Sequence, residues 1–181
     1  MTAILICGGT LSAAFLKEIS SRYPEAKVFA VDGGLRVAEA AGVLPDYLVG
    51  DFDTAEDSLV SRYEARCVTI RHKPEKDATD TELAVDEALE NGAATVILLG
   101  ATGSRLDHTL GNIHMLYRVL QCGKTARILN ENNRISLHKQ SFTLAKKELF
   151  GNFISFLPFF GDVTDVCLKG FKYPLSGKTL T

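Results

Sequence analysis

The stretch Thr95-Val96-Ile97-Leu98-Leu99-Gly100-Ala101-Thr102-Gly103-Ser104-Arg105-Leu106-Asp107-His108 decides the fold class. Thr95 to Leu99 is a short, unbroken aliphatic run, the pattern of a strand buried on both faces of a parallel sheet. Gly100 and Gly103 interrupt it, and Leu110, Ile113, His114, Tyr117 and Leu120 then recur at helical spacing. Leu110 and Ile113 are expected in the core, and His114 among them reads as structural. Where a strand delivers a glycine-containing loop into a helix, backbone N–H groups and the positive end of the helix dipole favour an anion. Thr102, Ser104 and Arg105 add further donors, so the loop reads as a phosphate or nucleotide cradle. It is not a Walker A loop, which ends in Gly-Lys-Ser or Gly-Lys-Thr. Asp107 and His108 fit either that cradle or an ordinary solvated first turn.

Working outward, the same grammar repeats upstream. Ala3 to Cys7 is a strand running into Gly8-Gly9, best read as a structural turn. Leu11, Phe15, Leu16 and Ile19 follow at helical spacing, with Ser12 as cap and Pro24 as stop. Lys27 to Val31 is the second strand and ends in Asp32-Gly33-Gly34, equally a turn or a ligand-facing acid. Strand, helix, strand makes a right-handed parallel unit, and such sheets bind ligands beyond the carboxyl ends of their strands. A short helix over 35–41, a strand over 47–49, a helix over 55–66 and a strand over 67–70 continue the series. The helix expected from Asp80 to Asn91 opens on a capping box, Thr79-Asp80-Thr81-Glu82, and stops at Gly92.

The acids concentrate in two places. Pro45 to Thr54 reads PDYLVGDFDT, with Asp46, Asp51 and Asp53 around an apolar run, and Lys76 to Glu82 reads KDATDTE. Alternation in an extended chain points Asp51 and Asp53 the same way. Two carboxylates about 4 Å apart repel by roughly 4 kcal/mol at an effective dielectric near 20. A proton, a basic side chain or a divalent cation must hold them together. An oxygen-only set suits Mg²⁺, which takes a few carboxylates plus water and substrate phosphates. Capping explains Thr79 and Glu82, but not Asp77 and Asp80 as well.

From Ala126 the texture changes to short alternating runs at 127–130, 134–138, 141–144, 150–157 and 163–169, with Asn and Gly turns and no helix required. This predicts an α/β domain over 1–125 and an all-β domain over 126–181 that holds every phenylalanine except Phe15, Phe29 and Phe52. The formal net charge of -2 at pH 7 carries no basic footprint for nucleic acid. Cys7, Cys67, Cys122 and Cys167 are scattered without metal-ligand spacing, which suits a reduced cytoplasmic protein. The opening strand lacks the basic segment and cleavage site of a signal peptide, and no apolar run reaches membrane-spanning length.

In order along the chain, Asp32-Gly33-Gly34, Pro45-Asp46 with Gly50-Asp51-Phe52-Asp53, Lys76-Asp77-Ala78-Thr79-Asp80, Gly103 to His108 with Asn112, and Gly170 to Leu175 resemble the thiamine pyrophosphokinase family. The resemblance implies a Rossmann-like, mostly parallel α/β domain followed by a small β-sandwich. It implies transfer of a diphosphoryl group from ATP to the hydroxyl of thiamine, giving thiamine diphosphate and AMP. It also implies a homodimer with a shared active site. Asp51, Asp53 and Asp80 would hold Mg²⁺ and the polyphosphate, with Asp77 beside them. Asp46, Asp77 and Thr79 would serve the thiamine side. Thr102, Gly103, Arg105, Asp107, His108 and Asn112 would form the ATP side, with Asp32 nearby. The family continues beyond the position of Thr181 with closing strands that contact thiamine, so the β-domain and its thiamine site are expected to lack their last strands.

Two other classes suit the residues alone. Clustered aspartates also serve a metal-dependent phosphoesterase, for which His72 is the one histidine near the acids. If the acids only cap helices, the chain is a non-catalytic nucleotide-binding regulator.

Overall fold

The computed structural model describes residues 1–52, 57–71 and 78–181. Its elements run β1 (Thr2–Ile6), α1 (Ala13–Arg22), β2 (Lys27–Val31), α2 (Gly34–Ala41), β3 (Tyr47–Gly50), α3 (Asp57–Glu64), β4 (Val68–Arg71), α4 (Asp80–Glu90), β5 (Thr95–Leu99), α5 (Leu106–Gln121), β6 (Thr125–Leu129) and β7 (Arg134–Ser136). A single 3-10 turn (Lys146–Glu148) and two further strands, β8 (Val163–Leu168) and β9 (Leu175–Leu180), complete the described elements. The chain divides into two compact units, residues 1–148 and 149–181.

In the first unit the strands form a seven-stranded sheet in the order β4-β3-β2-β1-β5-β6-β7. Every neighbouring pair is parallel except β6 with β7. The apolar runs explain the centre: β1 is buried from Ala3 to Ile6 and pairs with β2 on one side and β5 on the other. Alternate residues serve opposite faces. Ala3, Leu5, Phe29, Val31, Val49, Val96 and Leu98 meet Ala84, Val85 and Ala88 of α4 and Met115, Leu116 and Val119 of α5. Ala30 and Leu48 meet Leu35 of α2 and Leu59 and Val60 of α3 on the other face. Each large aliphatic side chain removed from water on these faces stabilises the fold by about 1.5–3 kcal/mol.

Two expectations are corrected. The change of texture at Ala126 is not a unit boundary, since β6 pairs with β5 in parallel and β7 returns against β6 through a turn at Asn130–Asn133. Lying toward the sheet's edge, these strands are partly exposed, and partial exposure produces the alternation expected of a separate β-domain. Leu110 is not core but 61% exposed, because α5 buries Met115, Leu116 and Val119, a face rotated from the one marked by Leu110, Tyr117 and His114. The helix is apolar on both sides, and periodicity could not choose between them.

In the second unit β8 and β9 form an antiparallel pair with bulges. The runs expected at 141–144 and 150–157 carry no strand. Phe156 and Phe171 pack edge to face at 5.6 Å between centroids.

The sheet tolerates the entry of α2 only because residue 34 has no side chain. A β-carbon there would lie 1.9 Å from the Ile6 carbonyl oxygen. Gly34→Ala is expected to destabilise by about 1–3 kcal/mol, the usual result of overpacking. Gly111→Ala, in open space on α5, should stabilise by about 0.5–1 kcal/mol through helix propensity and unfolded-state entropy. Thermal denaturation of the two variants gives opposite shifts in Tm.

Candidate active site

In a parallel sheet every strand delivers its loop to the same edge. Here that edge carries Cys7-Gly8-Gly9 after β1, Asp32-Gly33 after β2, Asp51-Phe52 after β3 and Gly100 to Arg105 after β5. The helices return antiparallel to the strands, so the N-termini of α2, α4 and α5 face the same edge. The order of strands reverses between β1 and β5, the switch point where such folds open a ligand crevice.

The acids assemble along this edge through backbone contact. Asp32 has a left-handed backbone, φ 43°, and its N–H donates to the Val49 carbonyl at 3.0 Å. Phe52, just beyond Asp51, is also left-handed at φ 60°. Non-glycine residues held in this region store backbone strain of about 1–3 kcal/mol each, which a rigid surround must impose. Gly50 lies against Asp32, and Gly8 lies against Gly33, so the ends of β1, β2 and β3 are in direct succession. The Thr81 hydroxyl donates to Cys7 Sγ at 3.8 Å, which brings the first turn of α4, and with it Asp80, over the end of β1. The capping box forms as expected: Thr79 Oγ1 accepts from Glu82 N–H at 3.2 Å and Glu82 Oε2 from Thr79 N–H at 2.7 Å.

Asp53, Asp77 and His72 lie outside the described residues. Among the described residues no three His, Cys, Asp or Glu side chains group as a metal site. The donor chemistry at the edge nevertheless fits Mg²⁺, since Asp51 and Asp80 offer carboxylate oxygens. Burial pushes the Cys7 thiol up to about 12, so the one sulfur at this edge stays protonated and offers no thiolate.

The loop between β5 and α5 is held from several directions. Gly9 N–H donates to the Gly100 carbonyl and Thr10 N–H to the Thr102 carbonyl, both at 2.8 Å. A β-carbon at Gly9 would lie 2.3 Å from the Gly100 oxygen, so the Gly8-Gly9 turn is required by the approach of two backbones. Asn112 Nδ2 donates to the Ala101 carbonyl at 2.8 Å, and Thr109 Oγ1 accepts from Gly103 N–H at 3.3 Å. Arg105 forks onto Asp107, with Nη2 2.6 Å from one carboxylate oxygen and Nε 3.3 Å from the other. Both side chains are about two-thirds exposed. His108 follows Asp107 on the exposed first turn of α5.

Asp46 does not join the other acids at this edge. It precedes β3, and its carboxylate accepts from Val28 N–H at 2.9 Å and from Lys27 Nζ at 2.7 Å. Those partners open β2, so Asp46 sits at the amino edge, a strand's length from Asp51. Proximity in sequence was misleading because the apolar run between the two acids is itself the strand. Sequence reading also passed over Asn130 and Glu131. The polar cluster Asn130-Glu131-Asn132-Asn133 was legible as a turn. Its pairing beside the cradle depends on β6 belonging to this sheet.

Fold and edge together define a Rossmann-like α/β protein followed in the chain by a small antiparallel β unit. Residues 23–128 match the thiamin pyrophosphokinase catalytic domain, and residues 139–181 match the thiamin pyrophosphokinase vitamin B1 binding domain. The thiamine pyrophosphokinase of Bacillus subtilis (strain 168) is 35% identical over 152 residues, covering 83% of this chain and 71% of that protein. The crystal structure of thiamine pyrophosphokinase from Bacillus subtilis superposes with a TM-score of 0.87 at 30% identity, over all of this chain and 85% of that one. That of thiamin pyrophosphokinase from Geobacillus thermodenitrificans gives 0.76 at 27% identity, over 100% and 83%. The chain belongs to the thiamin pyrophosphokinase family, whose members are transferases named for pyrophosphoryl transfer to thiamin.

The hydrogen bonds from Arg105 hold the Asp107 carboxyl at about 2, below its ordinary 3.8. A depressed carboxyl pKa contributes stability that is complete above the unfolded value and fades as pH falls through the folded one. A carbon-detected NMR titration should therefore show Asp107 ionised to about pH 2, and Arg105→Ala should return its midpoint to the ordinary carboxylate range. An unchanged midpoint in that variant would show that the pair does not form in solution.

Proposed function

We propose that the chain transfers a diphosphoryl group from ATP to the hydroxyl of thiamine, giving thiamine diphosphate and AMP. The observation that carries this reading is the coincidence, on one sheet edge, of Asp32, Asp51 and Asp80 with the β5–α5 loop, in a chain of this family. In the proposed reaction the thiamine hydroxyl oxygen attacks the β-phosphorus of ATP in line. The bond from that phosphorus to the oxygen bridging the α- and β-phosphates breaks, AMP departs with the electron pair, and an aspartate takes the hydroxyl proton.

Asp51, Asp53 and Asp80 would hold Mg²⁺, whose chemistry here is to neutralise polyphosphate charge. Asp77 and Thr79 border the thiamine hydroxyl in this reading, with the Thr79 oxygen already engaged as a helix cap. Thr102, Gly103, Arg105, Asp107, His108 and Asn112 form the nucleotide side. Arg105 is solvent-facing and paired with Asp107 two residues away, a pairing that a polyphosphate can replace with a stronger bidentate one. Asn112 acts by fixing the Ala101 carbonyl and hence the loop.

A phosphorus NMR assay with ATP, Mg²⁺ and thiamine should show AMP and thiamine diphosphate appearing together. ADP or free phosphate as sole product would refute the transfer. Asp53→Asn should abolish turnover with the fold intact, and Arg105→Lys should lose most activity, because a point charge does not reproduce a planar fork. Near-normal turnover in Arg105→Lys would return that residue to a surface ion pair.

We further infer a homodimer with a shared thiamine site, working in the cytoplasm. Support for association comes from the second unit, residues 149–181, where Phe153 is 94% and Leu157 84% exposed. A unit this small buries too little apolar surface to stand alone. The four free cysteines support a reducing compartment. No helix among the described residues is long and apolar enough to cross a membrane. Sedimentation velocity at micromolar concentration should give a dimer, and a stable monomer would overturn the association.

A further inference from the structure

We propose that Asn130 is a positioning residue for the nucleotide cradle, orienting the Thr102 hydroxyl as a donor toward an acceptor oxygen of the bound nucleotide; this rests on the nucleotide reading given above. Asn130 follows β6 and starts the turn into β7, the segment that sequence alone assigned to the other domain. Its amide oxygen accepts from three donors on that turn: Asn132 N–H at 2.9 Å, Asn133 N–H at 2.7 Å and Asn133 Nδ2 at 3.2 Å. An oxygen surrounded by donors fixes which way the amide faces, since the flipped group would place NH₂ against N–H. The Asn130 Nδ2 must then point away from the turn, and it donates to Thr102 Oγ1 at 3.1 Å.

The consequence falls on Thr102. Its carbonyl is held by Thr10 N–H and its hydroxyl oxygen accepts from Asn130, so the hydroxyl proton is directed away from Asn130. Thr102 stands half-buried on the β5–α5 loop at the switch point, where an acceptor such as a phosphate or ribose oxygen can take that proton. The same turn also reaches the adjoining loop after β1, because Glu131 Oε1 accepts from Ser12 N–H at 3.0 Å at the cap of α1. One hairpin turn thus holds both loops of the cradle without belonging to either.

The test is the affinity of the full chain for ATP with Mg²⁺, read by titration calorimetry without thiamine. Asn130→Asp keeps the acceptor that organises the turn and replaces the donor facing Thr102 by a second acceptor, which draws the threonine proton inward. Its ATP Kd should rise about tenfold, the loss of one hydrogen bond, while the KM for thiamine and Tm stay near those of the parent chain. Thr102→Val should match that loss and Thr102→Ser should restore binding. The double variant N130D with T102V should bind no more weakly than T102V alone, since coupled residues are not additive. If Asn130→Asp fails to fold, the Val and Ser pair at Thr102 still reads the donor. An unchanged ATP Kd in Asn130→Asp, or in Thr102→Val, overturns the proposal. So does equal weakening toward ATP and thiamine with a lower Tm, which marks a structural role only. A parent chain that binds ATP but forms no thiamine diphosphate defeats the proposed reaction and leaves Asn130 to be judged by the Kd ratios. A parent chain that binds no ATP defeats both.

Discussion

The structure depends on how closely backbones approach one another at the end of β1. A β-carbon at Gly34 would reach the Ile6 carbonyl, one at Gly100 the Cys7 carbonyl at 2.4 Å, and one at Gly9 the carbonyls of Gly100 and Thr102. Each position joins the end of the central strand to a different neighbour: the start of α2, the end of β5, and the β5–α5 loop. With side chains there, the three could not meet, and the crevice at the switch point would have no common floor. Main-chain groups exposed at such a floor are also the ones a phosphorylated ligand engages, since N–H groups and helix N-termini need no side chain to attract charge. The glycines therefore serve packing, and in the proposed reaction the same close approach would serve chemistry.

Charge follows the same partition. Asp32, Asp51 and Asp80 stand where helix N-termini supply positive potential, which partly offsets the repulsion among them. Asp46 stands at the opposite edge, with Lys27 as its counter-ion and Val28 N–H as its hydrogen-bond donor. An acid answered by a lysine and a backbone donor is a structural clasp between β2 and β3. Acids gathered at helix N-termini are stabilised by the helix dipole, and in the proposed reaction they would also hold a cation.

Much of this was legible in the sequence because the fold's centre is simple. Lys27–Val31 and Thr95–Leu99 emerge with their expected bounds, and the Thr79–Glu82 capping box forms with both of its hydrogen bonds. Buried parallel strands and helix caps depend on neighbours within a few residues, and that information is local. What failed was non-local. Whether α5 buries Leu116 or Leu110 is decided by the sheet beneath it, and whether β6 extends one sheet or starts another depends on β5, a full helix upstream. Asp46 and Asp51 separated for a related reason, since alternation along a strand says nothing about which of its ends is the working one. Asn130 was invisible as a site residue because its partner, Thr102, lies across the β5–β6 crossover.

The strand order has a bearing on how the chain comes to be folded. β1 is synthesised first yet completes its pairing with β5, Ile4 opposite Ile97. While the chain emerges, β1 to β4 can form three parallel pairs among themselves, leaving one long flank of β1 as an unpaired edge of Ala3, Ile4, Leu5 and Ile6. An apolar edge of that kind templates association with other chains, and non-local parallel pairing closes slowly. In a chain that folded as it was made, a strand buried as deeply as β5 would thus present an adhesive flank until β5 was available. Docking of β5 covers that flank, so the chain between Ile6 and Leu99 is the stretch over which the edge would stay open.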